Sequence, residues 1–196
     1  MGKIKVAIIG VGNCASSLVQ GIHHYVELPE GVEVPGVMHP KIGDYRIEDI
    51  EVVAAFDVDE QKVGKDLSEA IFTKPNNTLK FADVPATGVK VERGMTHDGI
   101  GKYVSHLVKK SDESTTDIAG ILKEREVDVV INYLPVGSEM ATKWYVEQVL
   151  EARCGMINCI PVFIAREDYW RSRFQERGLP IVGDDIKSQL GATITH

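Results

Sequence analysis

Apolar positions fall into short runs of two alternating kinds. The first run, Ile4, Val6, Ile8 and Ile9, is β-branched and breaks at Gly10-Val11-Gly12. Apolar residues resume at Ala15, Leu18, Val19 and Ile22, the spacing of one helix face. Residues 3–21 therefore predict a strand, a glycine turn and a helix running from Asn13 to about Tyr25, with Asn13 able to cap it. EVVAAFDVD (51–59) predicts a second buried strand, and Val63, Leu67, Ala70 and Ile71 predict a crossover helix over 59–72. VDVVINYLP (127–135), GMINCIPVFI (155–164) and LPIVGDD (179–185) read as later strands. Helices are expected from Thr116-Asp117, over 138–154 and over 166–178. In the second of these, Ser138 would cap, and Met140, Trp144, Val146, Val149 and Leu150 would face inward. Residues 28–49, with three prolines and three glycines, read as an inserted excursion. KPNNT (74–78) reads as a loop, and 79–115 is weakly patterned, with a short strand at Val89–Glu92 and a helix around Gly101–Lys109. KSQLGATITH opens a helix with no stop signal before His196, which reads as part of something longer.

Strands alternating with helices imply parallel βαβ units and right-handed crossovers. The fold class expected is α/β, one doubly wound parallel sheet, whose ligands sit at the carboxyl ends of the strands. There the G-x-G-x-x-A spacing gives each small residue a task. Gly10 makes the bend, Gly12 leaves room for a pyrophosphate, and Ala15 lets the helix pack on the strand. The N–H groups that open the helix then face an anion. Asp57 ends the second strand, where an acid accepts hydrogen bonds from the adenosine ribose and favours NAD over NADP. It lies 42 positions after Ala15 instead of about 20, so the 28–49 excursion must separate helix and strand. Asp57 also suits the cap of the next helix. Asn132 and Asn158 are polar strand ends, able to bond a carboxamide or sugar or simply to make turns. GDDIKSQ sets Asp185 and Ser188 at a helix start, with Lys187 either a phosphate ligand or a surface lysine.

Composition narrows the classes. The 196 residues are 43% hydrophobic and 26% charged, an ordinary globular balance, and the net charge is −7 with no basic cluster, so nucleic acid is not an expected partner. No apolar run reaches the roughly 18 residues of a membrane span, and no signal peptide precedes the first strand. Cys14, Cys154 and Cys159 form no C-x-x-C pair, which disfavours disulfides and structural zinc and fits a reducing cytoplasm. Cys14 reads as a small apolar filler more readily than as a nucleophile. The six histidines lack metal-ligand spacing, His97-Asp98 is an orienting pair or a loop, and no G-x-S-x-G elbow is present. Trp144, Tyr169 and Trp170 read as helix-face packing.

GVGNCASSLVQG, AAFDVD, NNT, DGIGKY, NYLPVGSE, NCIPVFIA and VGDDIKSQLGATITH, in this order, resemble the inositol-3-phosphate synthase (1L-myo-inositol-1-phosphate synthase) family, above all its shorter prokaryotic form. The resemblance implies a Rossmann-like NAD-binding domain over residues 1–186 and, at 187–196, the start of a catalytic and tetramerisation domain of α+β type. It implies NAD as cofactor, glucose 6-phosphate as substrate and a cytoplasmic homotetramer in the full-length form. The reaction implied is redox-neutral: oxidation at C5, enolisation, aldol closure of C6 onto C1 and reduction of the ring ketone. The product, 1L-myo-inositol 1-phosphate, opens inositol and inositol-phospholipid biosynthesis. Carried over by motif, Gly12, Asn13 and Cys14 would hold NAD at the pyrophosphate and Asp57 at the ribose, beside Gly10 and Ala15 of the glycine turn. Leu134, Pro135, Cys159 and Ile160 would line the cofactor's path, with Asn132 at a strand end. Asp185 and Ser188 would lie near the nicotinamide, and Asp66 and Tyr145 are further carry-overs. The family's catalytic lysines fall beyond His196, so no catalytic residue and no metal ligand is assigned here, and turnover by this polypeptide alone is not expected. Without the resemblance, the residues also suit an NAD-dependent dehydrogenase of a small carbonyl substrate, or a non-catalytic NAD-binding module.

Overall fold

The computed structural model describes residues 2–26, 37, 39–100 and 105–186. Strand β1 (Ile4–Ile9) leads through the glycine turn into helix α1 (Asn13–Val26). A small hairpin, β2 (Lys41–Ile42) with β3 (Tyr45–Arg46), and one 3-10 turn (Ile47–Asp49) fill the described part of the excursion. Then follow β4 (Ile50–Asp57), the one-turn helix α2 (Leu67–Ala70), β5 (Val91–Arg93) and α3 (Ile118–Glu124). The chain continues through β6 (Val129–Asn132), α4 (Glu139–Ala152), β7 (Gly155–Asn158), α5 (Asp168–Glu176) and β8 (Ile181–Val182). Six strands form one sheet in the order β5-β4-β1-β6-β7-β8, all neighbours parallel. The chain winds outward from β1 to β5, then returns to the other side of β1 as β6. The order therefore reverses between β1 and β6, and a crevice opens at their carboxyl ends.

Strand periodicity divides the core. Ile8 packs with Val11, Ala15, Val19, Leu67 and Ala70 on the α1–α2 face. Ala7 and Ile9 face the opposite way, into a cluster holding Ile118, Leu122, Tyr145, Val149, Trp170 and Phe174 from α3, α4 and α5. Burial on both faces explains why the strands read as near-continuous apolar runs.

Four expectations change. The crossover helix predicted over 59–72 shrinks to Leu67–Ala70. Gly64 takes φ +87°, and the backbone of 64–67 bonds to β5 and the residues before it, Gly64 N to Val91 O and Leu67 N to Val89 O, with Asp66 bridged to Lys90. The inward face of α4 is Ala141, Thr142, Tyr145, Val146, Val149 and Leu150, while Met140 is 63% exposed. Tyr169 is likewise exposed, its ring set edge-on to the buried Trp170. Residues 105–107 form a turn where a helix was predicted; 101–104, like 27–36, 38 and 187–196, lie outside the described residues.

Candidate functional site

The crevice is built on the glycine turn. Gly10 N–H donates to Phe56 O at 2.9 Å and its φ is +89°; a Cβ there would sit 2.9 Å from the Tyr133 carbonyl oxygen. Only glycine meets both conditions. Gly12 is the opposite case, since a Cβ on it would find no atom within 4 Å. Its neighbours Asn13 and Cys14 open α1, so their N–H groups have no acceptor within the helix. Asn13 does not cap that helix with its side chain. Its amide oxygen accepts from Asn77 N at 2.8 Å and Thr78 Oγ1 at 3.2 Å, tying the 74–78 loop to the turn. Ala15 is wholly buried beneath it.

Two cavities meet at this turn. The first, about 250 Å³, is lined by Gly10, Gly12, Asp57, Asp59, Lys62, Met95, Tyr145 and Leu134 among others. The second, about 260 Å³, is lined by Asn13, Cys14, Leu134, Pro135, Cys159, Ile160 and Asp185 among others. The switch point thus brings most of the predicted residues together.

Asp57 caps no helix. Its Oδ2 accepts from Val11 N at 2.7 Å and its Oδ1 from Val58 N and Asp59 N. A carboxylate has about four acceptor positions, so Oδ2 keeps one beyond these bonds, and Asp57 lines the first cavity. Tyr145 lies 1% exposed with Oη accepting from Met95 N at 2.8 Å, and burial pushes its phenol well above the ordinary value. A side chain on Gly94 would collide with that hydroxyl. Burial first, and then Cys14, pushes the Cys159 thiol up to about 11, so it stays protonated at neutral pH. Asp185 has φ +61° and donates its N–H to Ile160 O at 3.1 Å; its Oδ1 is buried without a partner among the described residues. Ser188 and Lys187 lie outside the described residues.

Other predicted residues serve the scaffold. Asp66 lines neither cavity. It caps α2 through Ser68 N and Oγ and anchors Thr87 and Gly88 N. Burial alone would raise its carboxyl, but the Ser68 and Thr87 bonds outweigh burial and hold it at about 2. Asn132 is wholly buried, donating to Thr142 Oγ1 and Asn158 Oδ1 and accepting from Leu134 N. Asn158 donates onward to Val162 O and Asp184 Oδ1. Asp184 accepts from the N–H groups of Ile164, Ala165 and Arg166. The two asparagines therefore stitch the ends of β6, β7 and β8 together. Ser138 turns its hydroxyl to Pro135 O, and α4 is capped instead by Asp98, which accepts from Met140 and Ala141 N at 2.9 Å.

Sequence reasoning passed over Lys62 and Asn76. Lys62 donates to Val11 O and Asn76 Oδ1, and Asn76 donates to Val11 O and Ile71 O. Gly64, two residues after Lys62, was the available sign that 59–66 is a turn and not a helix. Among the described residues no group of three His, Cys, Asp or Glu is placed to hold a metal, and no helix is long and apolar enough to cross a membrane.

A parallel sheet with this strand order, and a glycine turn at its switch point, defines a doubly wound α/β protein of the Rossmann type. No family model matches the chain. It is 57% identical over 195 residues to the inositol-3-phosphate synthase of Mycolicibacterium smegmatis, covering 100% of the chain and 54% of that protein. To the Corynebacterium glutamicum inositol-3-phosphate synthase it is 51% identical over 193 residues, covering 98% and 53%. The crystal structure of Ari2 matches with a TM-score of 0.83 at 32% identity, covering 99% of this chain and 57% of that one. A myo-inositol-1-phosphate synthase-related protein from Thermotoga maritima shares the fold, with a TM-score of 0.66 at 24% identity over 93% and 55%. The chain is thus homologous over its full length to inositol-3-phosphate synthases, and spans about half the length of the curated relatives it matches.

Proposed function

We propose that this chain is the NAD-binding part of an inositol-3-phosphate synthase, the whole enzyme converting D-glucose 6-phosphate to 1L-myo-inositol 1-phosphate without net redox change. The carrying observation is the empty space above Gly12, beside the N–H groups that begin α1 and have no acceptor within the helix. A β-carbon would fill that space, and a diphosphate fits it chemically. RSP, a Rex-family repressor crystallised in complex with β-NADH, shares this fold at a TM-score of 0.51 and 10% identity.

In this reading Gly12, Asn13 and Cys14 offer backbone N–H groups to the diphosphate. The open position on Asp57 Oδ2 accepts from an adenosine ribose hydroxyl, and its charge repels the 2′-phosphate of NADP. Leu134, Pro135, Cys159 and Ile160 wall the crevice beyond the turn and exclude water, and Asp185 closes its far end. Tyr145 stays protonated and shapes the first cavity. Bound NAD supplies a reversible hydride acceptor. The domain division at 186, a cytoplasmic site and assembly as a tetramer belong to the same reading.

The test joins the full-length parent with glucose 6-phosphate and catalytic NAD and follows the phosphorus NMR spectrum. Inositol monophosphate without net NADH supports the reading. Accumulating NADH would point to a dehydrogenase, and unchanged glucose 6-phosphate would reject the synthase.

A further inference from the structure

We propose that Lys62 and Asn76 are positioning residues for the phosphate-binding turn, fixing the Val11–Gly12 peptide so that the Gly12 N–H faces the crevice. The inference rests on the reading of that crevice as a dinucleotide site. Lys62 is only 5% exposed, yet it forms no ion pair among the described residues. Its ammonium donates to Val11 O at 2.9 Å and Asn76 Oδ1 at 3.1 Å, both neutral acceptors. Asn76, 7% exposed, closes the triangle by donating to the same Val11 carbonyl at 3.1 Å and to Ile71 O at 2.9 Å. The other side of Val11 is held as firmly, its N–H donating to Asp57 Oδ2 at 2.7 Å.

A planar trans peptide points its C=O and its N–H in opposite directions. Gripping the Val11 carbonyl therefore turns the Gly12 N–H away from Lys62 and Asn76, at a residue whose Cβ would meet nothing within 4 Å. Three separate segments converge on this one residue: the end of β4, the 59–66 turn and the 74–78 loop. A fold staple alone does not account for the choice of lysine, because burying an ammonium against neutral oxygens carries a desolvation cost that an amide or hydroxyl would avoid. Lys62 lines the first cavity together with Gly12, so its charge adds to the positive start of α1 on the side where an anion would sit. The buried Asp59, whose Oδ2 has no hydrogen-bond partner among the described residues, offsets part of that charge within the fold.

The experiment compares NAD with adenosine, which lacks the diphosphate, by NMR titration of wild type, Lys62→Met and Asn76→Ala. NAD affinity is expected to fall about tenfold or more in each variant, the scale of a lost charge-assisted hydrogen bond, while adenosine stays within about twofold. Equal losses for both ligands, or no loss of NAD affinity, overturn the proposal. A second reading is taken without ligand: the Gly12 amide resonance of each variant should shift and exchange faster with solvent. An unchanged Gly12 amide overturns the clamp even where NAD binding weakens. If wild type binds neither ligand, the dinucleotide reading falls, and the clamp is still decided by the Gly12 amide. Either substitution alone suffices if the other prevents folding.

Discussion

Gly10 and Gly12 stand two residues apart in one turn, and the geometry predicts opposite phenotypes for the same substitution. Gly10→Ala places a methyl group on a residue at φ +89°, which costs about 1–2 kcal/mol for an L-residue in a left-handed conformation. That methyl meets the Tyr133 carbonyl oxygen at 2.9 Å and its carbon at 3.0 Å. Both are backbone atoms at the end of β6 and cannot rotate away, so overpacking adds about 1–3 kcal/mol. A loss of about 2–5 kcal/mol follows, a large share of the roughly 5–15 kcal/mol that holds a typical domain. Gly12→Ala meets no atom within 4 Å and carries no positive φ, so its stability should stay within about 0.5 kcal/mol of wild type. Its methyl instead occupies the space assigned to the diphosphate, and NAD affinity should fall by about two orders of magnitude, or ~2.7 kcal/mol. Urea unfolding followed by circular dichroism reads the first effect, and isothermal calorimetry with NAD reads the second. A folded Gly12→Ala that binds NAD like wild type would refute the placement of the diphosphate. A Gly10→Ala with an unshifted midpoint would refute the close approach of β1 to β6.

Asp57→Asn keeps the shape of the side chain but loses an acceptor, so NAD affinity measured by calorimetry should drop about tenfold, with a smaller loss of stability from the released Val11 N–H. The Asp66 carboxyl, lowered to about 2 from an ordinary 3.8, stabilises the fold fully above about pH 4. That contribution, about 2 kcal/mol, is lost as pH falls through 2, so the stability gap between wild type and Asp66→Ala should narrow over that window in urea titrations. Asp98→Ala removes the long-range cap of α4 and should cost about 1 kcal/mol, read as a shift of the urea midpoint. Cys159, with its thiol pushed up to about 11, should alkylate slowly with iodoacetamide at pH 8, as peptide mass spectrometry would show.

The architecture was legible because burial on both sheet faces leaves an unmistakable apolar run at each strand, and the glycine turn is a local motif. The register of parts beyond the local was less so. Residues 59–72 carry apolar residues at helical spacing, but Gly64 takes a positive φ and its neighbours find better hydrogen bonds along β5 than along a helix. On α4 the expected stripe was rotated by its tertiary neighbours. Tyr145, whose hydroxyl must reach Met95 N, turns inward, and Met140 turns out. Caps were misassigned for a related reason. Asn13 and Ser138 stand at the right positions, but their side chains bond Asn77 and Pro135, partners that no spacing rule can anticipate.

The polar residues at the strand ends divide by where their hydrogen bonds go, and that division bears on how the crevice recognises a ligand. Asn132, Asn158 and Asp184 lace the ends of β6, β7 and β8 to each other, while Lys62, Asn76 and Asp57 grip the turn after β1. Side chains that sequence position alone would offer to a ligand thus hold backbone in place. The crevice is lined by the turn that starts α1, by Asp57, Lys62 and Asn76, and by the apolar wall of Leu134, Pro135 and Ile160. Backbone donors fixed by buried networks lose little freedom when an anion arrives, so affinity follows from pre-organisation more than from the number of contacts. Mutations in the buried network should accordingly weaken a diphosphate ligand in proportion to how far they loosen the Val11–Gly12 peptide.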